Sequence, residues 1–332
     1  MKFNNYHNQD ISKSSFLITG GAGFIGSNLL EYLVQYEAGR IVVLDNLSTG
    51  YLENIEEFVQ LPNVEFIKGD IRDYKTCLDS LAGIDYVLHQ AALGSVPRSV
   101  DDPITTNEVN ITGFLNVLTA AKEQNVKRLV FAASSSTYGD SVELPKREEK
   151  IGNPLSPYAV TKYVNELYAD VFSKVYGFHS VGLRYFNVFG PKQNLNGPYA
   201  AVIPLFINNY LEGKSSVING DGLTSRDFTF VANVVQANVK ALLLSDLMNY
   251  EVFNVACNEQ TSLNELVILI GNELGNTIPP TYAPERRGDV KHSLADISKA
   301  VKTLDYQPEI KFSEGIKYTI SFFQESFANN ID

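Results

Sequence analysis

Tyr158 and Lys162 stand four residues apart in the run Tyr158-Ala159-Val160-Thr161-Lys162, a spacing that puts both side chains on one face of a helix. A phenol ordinarily keeps its proton to about pH 10. A lysine ammonium beside it favours the phenolate and makes Tyr158 a usable base near neutral pH. The second cluster is Ser134-Ser135-Ser136-Thr137-Tyr138-Gly139. Its hydroxyls can hold the substrate oxygen that the tyrosine deprotonates. Base and hydroxyls together point to chemistry at an alcohol beside a redox cofactor.

The chain provides for that cofactor. The apolar run Phe16-Leu17-Ile18 leads into Thr19-Gly20-Gly21-Ala22-Gly23-Phe24-Ile25-Gly26, which reads as strand, tight turn and helix. Such a turn aims backbone N–H groups and a helix N-terminus at a pyrophosphate. Gly20, Gly23 and Gly26 let the turn close, the backbone reach the ligand and the helix pack on the strand. The next strand ends at Asp45, nineteen residues beyond Gly26. A carboxylate there accepts hydrogen bonds from ribose hydroxyls and repels a 2′-phosphate, which selects NAD over NADP. Asp70, followed by Ile71, can approach the adenine amino group. The small residues of His89-Gln90-Ala91-Ala92 suit a backbone lying against a ligand, and His89 itself reads as a structural histidine.

The elements that position these residues follow from apolar runs alternating with helix patterns. Strands are expected at Phe16–Thr19, Ile41–Leu44, Val64–Ile67, Tyr86–Leu88, Leu129–Ala132 and Ser180–Leu183, with helices at Phe24–Tyr36, Ile104–Glu123 and Tyr158–Tyr176. This alternation implies βαβ units and a Rossmann-type, doubly wound parallel sheet of the α/β class, whose ligands bind beyond the carboxyl ends of the strands. After Arg184 the rhythm breaks. Loop signals at Gly190-Pro191, Asn196-Gly197-Pro198 and Gly220-Asp221-Gly222 separate helices expected near Ala201–Glu212, Ala232–Leu244 and Leu263–Leu274. A dinucleotide domain over 1–184 and a smaller C-terminal α/β substrate lobe over 185–332, interleaved in space, are expected, with the site in the cleft between them.

The bulk numbers narrow the partners. The 332 residues carry a formal net charge of −11, which argues against nucleic acid or an anionic membrane as partner. Cys77 and Cys257 are the only cysteines, so no disulfide framework exists and a reducing compartment is expected. No stretch reaches the roughly 20 apolar residues that span a bilayer. The first fifteen residues lack the apolar core of a signal peptide. A cytoplasmic protein without a metal centre is the expectation.

On Thr19–Gly26, Asp45-Asn46-Leu47-Ser48, Asp70, His89–Ala92, Asn110, Ser134–Gly139, Tyr158/Lys162, Arg184-Tyr185-Phe186-Asn187 and Gly220-Asp221-Gly222…Arg226-Asp227, the chain resembles the extended short-chain dehydrogenase/reductases acting on nucleotide sugars. The likeness covers nearly the whole chain. Within that family it is most similar to UDP-hexose 4-epimerases, and its serine and Ser-Pro-Tyr runs are closest to the branch acting on UDP-N-acetylglucosamine or its uronic acid. The resemblance implies that Tyr158 takes the proton of the sugar 4-OH, that Lys162 lowers the tyrosine pKa and holds the nicotinamide ribose, and that Ser134 binds the 4-oxygen. It adds Asn46, Ser48, Gly50, Asn110 and Tyr185 to the NAD site.

By the same likeness Asn187 meets the diphosphate-sugar, the backbone of Ala201, Val202 and Ile203 runs past the nucleotide, Arg226 and Arg286 neutralise the diphosphate, and Asp289 lies near the uridine ribose. Gly94, Ser135, Ser136, Gln193, Ala201 and Ser293 line the sugar, with Ser293 leaving room for an N-acetyl group. No acid follows Ser134 before Tyr138, where the dehydratases and decarboxylases of the family carry one, so simple inversion is favoured. UDP-glucose epimerase, dehydratase and decarboxylase stay open as alternatives, as does alcohol or carboxylate at C6. A nucleotide sensor would usually lose Tyr or Lys from the pair, and both stand here. The helices Ile104–Glu123 and Tyr158–Tyr176 carry apolar positions on more than one face, and their counterparts in the family form a four-helix homodimer bundle.

Overall fold

The computed structural model describes residues 1–194, 201–245, 249–276, 278–285 and 291–329. Its centre is a seven-stranded sheet. Six strands come from the first 185 residues: β1 (Ser15–Thr19), β2 (Arg40–Asp45), β3 (Val64–Lys68), β4 (Tyr86–His89), β5 (Arg128–Ser134) and β6 (Ser180–Tyr185). The seventh, Tyr250–Val255, comes from the second half and pairs with β6. All pairings are parallel, in the order β3-β2-β1-β4-β5-β6 and then Tyr250–Val255. The order reverses between β1 and β4, and such a switch point opens a crevice at the strand ends.

Strands buried on both faces must be apolar along their middles, as β1, β2, β4 and β5 are, whereas the edge strand β3 leaves Glu65 and Lys68 exposed. Phe16, Ile18, Ile41 and Val43 pack on one side with Leu29, Leu30 and Leu33, whereas Leu17, Val42 and Leu44 pack on the other with Phe114, Val117 and Leu118. Successive strand residues thus serve opposite layers, as a period of two demands. The helices of the first half are α1 (Phe24–Gln35), α2 (Tyr74–Ser80), α3 (Val96–Asp101), α4 (Pro103–Asn107), α5 (Phe114–Glu123) and α6 (Pro157–Tyr176). Ser156 caps α6 through Ala159 N at 3.1 Å, Pro157 opens it and Gly177 (φ +65°) ends it, the usual division between polar cap, proline and left-handed glycine.

Two features depart from the sequence expectation. The helix expected over Ile104–Glu123 contains a π-helical stretch at Glu108–Gly113 between α4 and α5. Such wide turns mark functional sites, and Asn110 lies in this one. The sheet also does not stop at residue 184. Tyr250–Val255 completes it, and the helix α8 (Val231–Leu243) packs beneath β4, β5 and β6 and against α1. The remaining lobe gathers α7 (Val202–Leu211), α9 (Leu263–Leu274) and the C-terminal helix Phe312–Asn329. Among the described residues no helix is long and apolar enough to cross a membrane.

Candidate active site

The glycine turn closes under constraints that only glycine meets. Gly20 has φ +69°, and a Cβ there would stand 2.6 Å from Ala91 N; one on Gly26 would stand 2.1 Å from Gly20 O. Both contacts are to backbone, so neither can yield. No described side chain caps α1, whose N-cap is Gly23, so the first-turn N–H groups of Phe24, Ile25 and Gly26 remain free of a side-chain cap. Asp45, at the end of β2, is buried and accepts hydrogen bonds from Ala22 N (3.0 Å) and Leu47 N (2.8 Å). Burial raises its pKa, and these two donors oppose the rise. Each carboxylate oxygen keeps a further lone pair for a ribose hydroxyl.

The loop after Asp45 lies over the turn. Ser48 N donates to Asn46 Oδ1 (3.0 Å), and a Cβ on Gly50 would reach 2.8 Å from Ala22 C. Asn46 Nδ2 donates to Asp70 Oδ2 at 3.0 Å. The Arg72 guanidinium holds the Asp70 carboxyl down at about 2. Ile71 is buried beneath Gly113.

Beyond β4, the His89 ring shares a 2.8 Å hydrogen bond with Thr19 Oγ1. Burial, and then the Lys162 charge, lower its pKa to about 3. It is a neutral core residue, as its sequence setting indicates. Thr19 Oγ1 also accepts from Ala91 N (3.3 Å), which fixes the small-residue loop Gln90–Ala92 beside the glycine turn. Gln90 joins a buried amide–phenol cluster: Tyr185 OH donates to Gln90 Oε1 (3.2 Å), and Asn238 Nδ2 donates to Tyr185 OH (2.8 Å). Gly94 faces open space, with nothing within 4 Å of where its Cβ would be. The next residue, Ser95, has φ +109°, a strained conformation for a non-glycine.

The residues with catalytic chemistry meet at the ends of β5 and α6. Lys162 is buried, and its Nζ donates to Ala132 O (2.7 Å) while lying 6.0 Å from the centre of the Tyr158 ring. Burial lowers its pKa to about 8. Tyr158 is governed by burial, which raises the phenol's pKa, against a lowering by the neighbouring Ser134 hydroxyl. In the protein alone, desolvation therefore outweighs the pull expected from the lysine charge. Ser134 Oγ accepts from Ser136 N (3.1 Å) and Ser136 Oγ (2.9 Å), with Ser135 beside them on the same turn. The first turn of α6 is pinned from behind. Tyr158 N donates to Ser99 Oγ (3.0 Å), Thr161 Oγ1 to Tyr158 O (2.8 Å), and Asn110 Nδ2 to Thr161 Oγ1 (3.1 Å). Asn110 also exchanges hydrogen bonds with the Leu93 backbone, so its polar atoms link the Gly94 loop to α6.

In the second lobe Asn187 (φ +38°) donates to Asp227 O (3.0 Å). Gln193 Nε2 donates to Val188 O (3.2 Å), while its Oε1 is buried without a partner among the described residues. Ala201 is the N-cap residue of α7, which begins Val202-Ile203. Arg226 donates to Ser225 O (3.0 Å) and Lys291 O (3.2 Å), and Ser293 N donates to Ser225 O (3.1 Å), so Arg226 and Ser293 share one ladder. Arg286 and Asp289 lie outside the described residues.

Several supporting groups escaped the sequence reading. Glu166 follows Lys162 by four residues and makes a buried ion pair with Arg184: Nε–Oε1 2.9 Å and Nη2–Oε2 2.7 Å. The repeat at 158, 162 and 166 was the available signal. Asn238 announces itself as an amide inside the apolar pattern of α8, where Asn233 and Gln236 are buried too. Thr19 carries no such mark.

A glycine turn, an acid at the end of β2 and a Ser–Tyr–Lys constellation, all on the carboxyl ends of one parallel sheet, define a short-chain dehydrogenase/reductase of the extended type. Residues 16–256 match the model of the NAD dependent epimerase/dehydratase family. A putative UDP-glucose 4-epimerase of Methanocaldococcus jannaschii is 37% identical over 314 residues, which cover 93% of this chain and 98% of that one. Among solved structures, a UDP-N-acetylglucosamine 4-epimerase from Methanobrevibacter ruminantium, in complex with UDP-N-acetylmuramic acid, is 41% identical with a TM-score of 0.89, covering 94% of this chain and 99% of that one. The Thermus thermophilus UDP-glucose 4-epimerase in complex with NAD is 34% identical, TM-score 0.83, with 93% and 99% covered. The chain belongs to the NAD-dependent epimerase/dehydratase family, and its glycine turn, free of a side-chain cap and flanked by Asp45, fits that cofactor.

Proposed function

We propose that the chain is a UDP-sugar 4-epimerase acting on a UDP-N-acetylhexosamine or its uronic acid. The observation that carries this reading is the Ser134 hydroxyl acting on the Tyr158 phenol, with Lys162 buried behind them and no acid between Ser134 and Tyr138. Gly20–Gly26, Asp45, Asn46, Ser48, Gly50, Asp70, Ile71, Gln90–Ala92 and Tyr185 would hold NAD, which when bound would supply a reversible two-electron acceptor for the sugar C4. Tyr158 takes the proton from the 4-OH and returns it to the 4-oxygen of the inverted sugar. Ser134 holds that oxygen through both steps, and the Lys162 ammonium favours the phenolate. The small wall residues Gly94, Ala201 and Ser293 give the flat 4-keto sugar room to present its other face. Asn187, Gln193, Val202, Ile203, Arg226, Arg286 and Asp289 bind the rest of the nucleotide sugar, the arginines through paired hydrogen bonds to phosphate oxygens.

Similarity to the Methanobrevibacter enzyme supports the N-acetylated substrate, and similarity to the Methanocaldococcus protein supports UDP-glucose as the second reading. Incubation with UDP-sugars differing in the 2-substituent and at C6, followed by product chromatography, separates these. The expected result is C4-inverted product without net NADH. Tyr158→Phe should abolish exchange while NAD stays bound; a fully active variant would remove the tyrosine mechanism.

The same reading includes a homodimer. Val160, Leu167, Val171 and Val175 are exposed at successive helical spacings on α6, and Val100 and Ile104 are exposed on the neighbouring α3 and α4. An apolar stripe of this extent suits a second copy packing helix against helix.

A further inference from the structure

The carboxamide of Asn254 lies where three separately folded segments meet. It is fully buried, on the strand that the second half contributes to the main sheet. Its Oδ1 accepts from Tyr138 OH at 2.6 Å. Its Nδ2 donates to Lys146 O (2.9 Å) and to Asp296 O (3.0 Å), and its backbone N donates to Glu148 Oε1 (2.8 Å). Tyr138 closes the turn that starts at Ser134. Lys146 lies in the connection from that turn to α6, and Asp296 follows Ser293 by three residues. Lys146 and residues 294–296 also pair through their backbones, Lys146 N to Leu294 O at 2.7 Å and Asp296 N to Lys146 O at 2.9 Å. Ser293 is tied in turn to the Ser225–Arg226 strand.

We propose that Asn254 is a positioning residue that sets the Ser293 segment against the Ser134–Tyr138 turn, so that substrate discrimination depends on a side chain touching neither sugar nor cofactor. The proposal rests on the epimerase reading above. The geometry favours this role because both donors and the acceptor of one fully buried amide are used, each on a different carbonyl or hydroxyl, and the bonds to Tyr138 and Lys146 are themselves closed off from solvent. A shift of any one segment breaks a bond to the other two. Tyr138 is held in place independently by Phe186 (ring centroids 5.9 Å) and by the Arg184 guanidinium, 4.8 Å from its ring centre. Removing its hydroxyl therefore loosens the junction without emptying the core.

The test is the ratio of kcat/KM for UDP-N-acetylglucosamine over UDP-glucose, measured on the NAD-bound enzyme. A change in the fraction of active enzyme scales both rates and leaves this ratio untouched. Tyr138→Phe should move the ratio by at least about threefold. Asn254→Asp, which removes both Nδ2 donors and turns a carboxylate toward two carbonyls, should move it further. Both rates falling together with the ratio constant within about twofold would overturn the proposal. Tyr138→Phe carries the test if Asn254→Asp does not fold. Two variants run alongside report on the underlying reading: an active Tyr158→Phe, or a Ser293→Tyr that leaves the ratio unmoved, would defeat the epimerase reading or its sugar wall. An inactive Tyr158→Phe and a responsive Ser293→Tyr with a constant Tyr138→Phe ratio would defeat the Asn254 junction alone.

Discussion

Glu166→Gln should destabilise the protein far more than the loss of one surface ion pair would. The Glu166 and Arg184 side chains are 5% and 3% exposed and are joined by two parallel hydrogen bonds of 2.9 and 2.7 Å. Arg184 also donates to Glu148 O at 3.0 Å. Burial works to lower the arginine pKa, yet the Glu166 carboxylate overcomes it and holds the guanidinium above its usual value. At an effective dielectric constant near 20, two charges about 4 Å apart attract by about 4 kcal/mol, an amount that desolvation of the pair largely offsets. Breaking the pair leaves the desolvation cost standing alone. The expected loss is about 3–5 kcal/mol for Glu166→Gln, and the same for Arg184→Met. The double variant should return to within about 1 kcal/mol of the parent, because no buried charge is left. Urea unfolding at pH 7, with saturating NAD in every sample, reads all four proteins. Since the pair is shielded from ions, the losses should persist in about 0.5 M salt. Single losses below about 1 kcal/mol, or a double variant as unstable as the sum of the singles, would refute the reasoning.

The His89 imidazole gives a pH dependence of known sign. Its folded pKa is about 3 against an ordinary 6.5, so on acidification the unfolded chain takes up a proton that the folded chain refuses, and stability falls. Between pH 6.5 and 4.5 this amounts to about 2 kcal/mol, and His89→Gln should flatten that part of the urea-stability profile; an unchanged slope would assign the acid sensitivity to other groups. Gly26→Ala places a methyl 2.1 Å from Gly20 O and should cost about 1–3 kcal/mol together with bound NAD, measured from the absorbance released on denaturation. Gly94→Ala, which meets nothing within 4 Å, should leave stability within about 0.5 kcal/mol. Leu167→Glu puts a charge in the exposed apolar stripe of α6 and should break the proposed homodimer, leaving a monomer in sedimentation equilibrium. A dimeric variant would place the interface elsewhere.

What the sequence determined by itself was local. The glycine turn, the strand-ending Asp45 and the Tyr158/Lys162 spacing are read from a few neighbouring positions, because backbone conformation and helix periodicity act over that range. The strands β1–β6 were equally legible, since inner strands buried on both faces must be apolar along their middles and the edge strand β3 still carries Val64, Phe66 and Ile67. The tertiary structure decided what depends on distant partners. Tyr250–Val255 belongs to the main sheet because β6 offers an edge, which nothing in that stretch announces. The π turn at Glu108–Gly113 accompanies Asn110's bonds to Leu93 and Thr161. The ionisation of the central pair follows the same division: spacing alone suggested that Lys162 governs Tyr158, but burial dominates both side chains. A charge's solvation is set by everything packed around it, whereas the spacing of two residues is set by the helix between them.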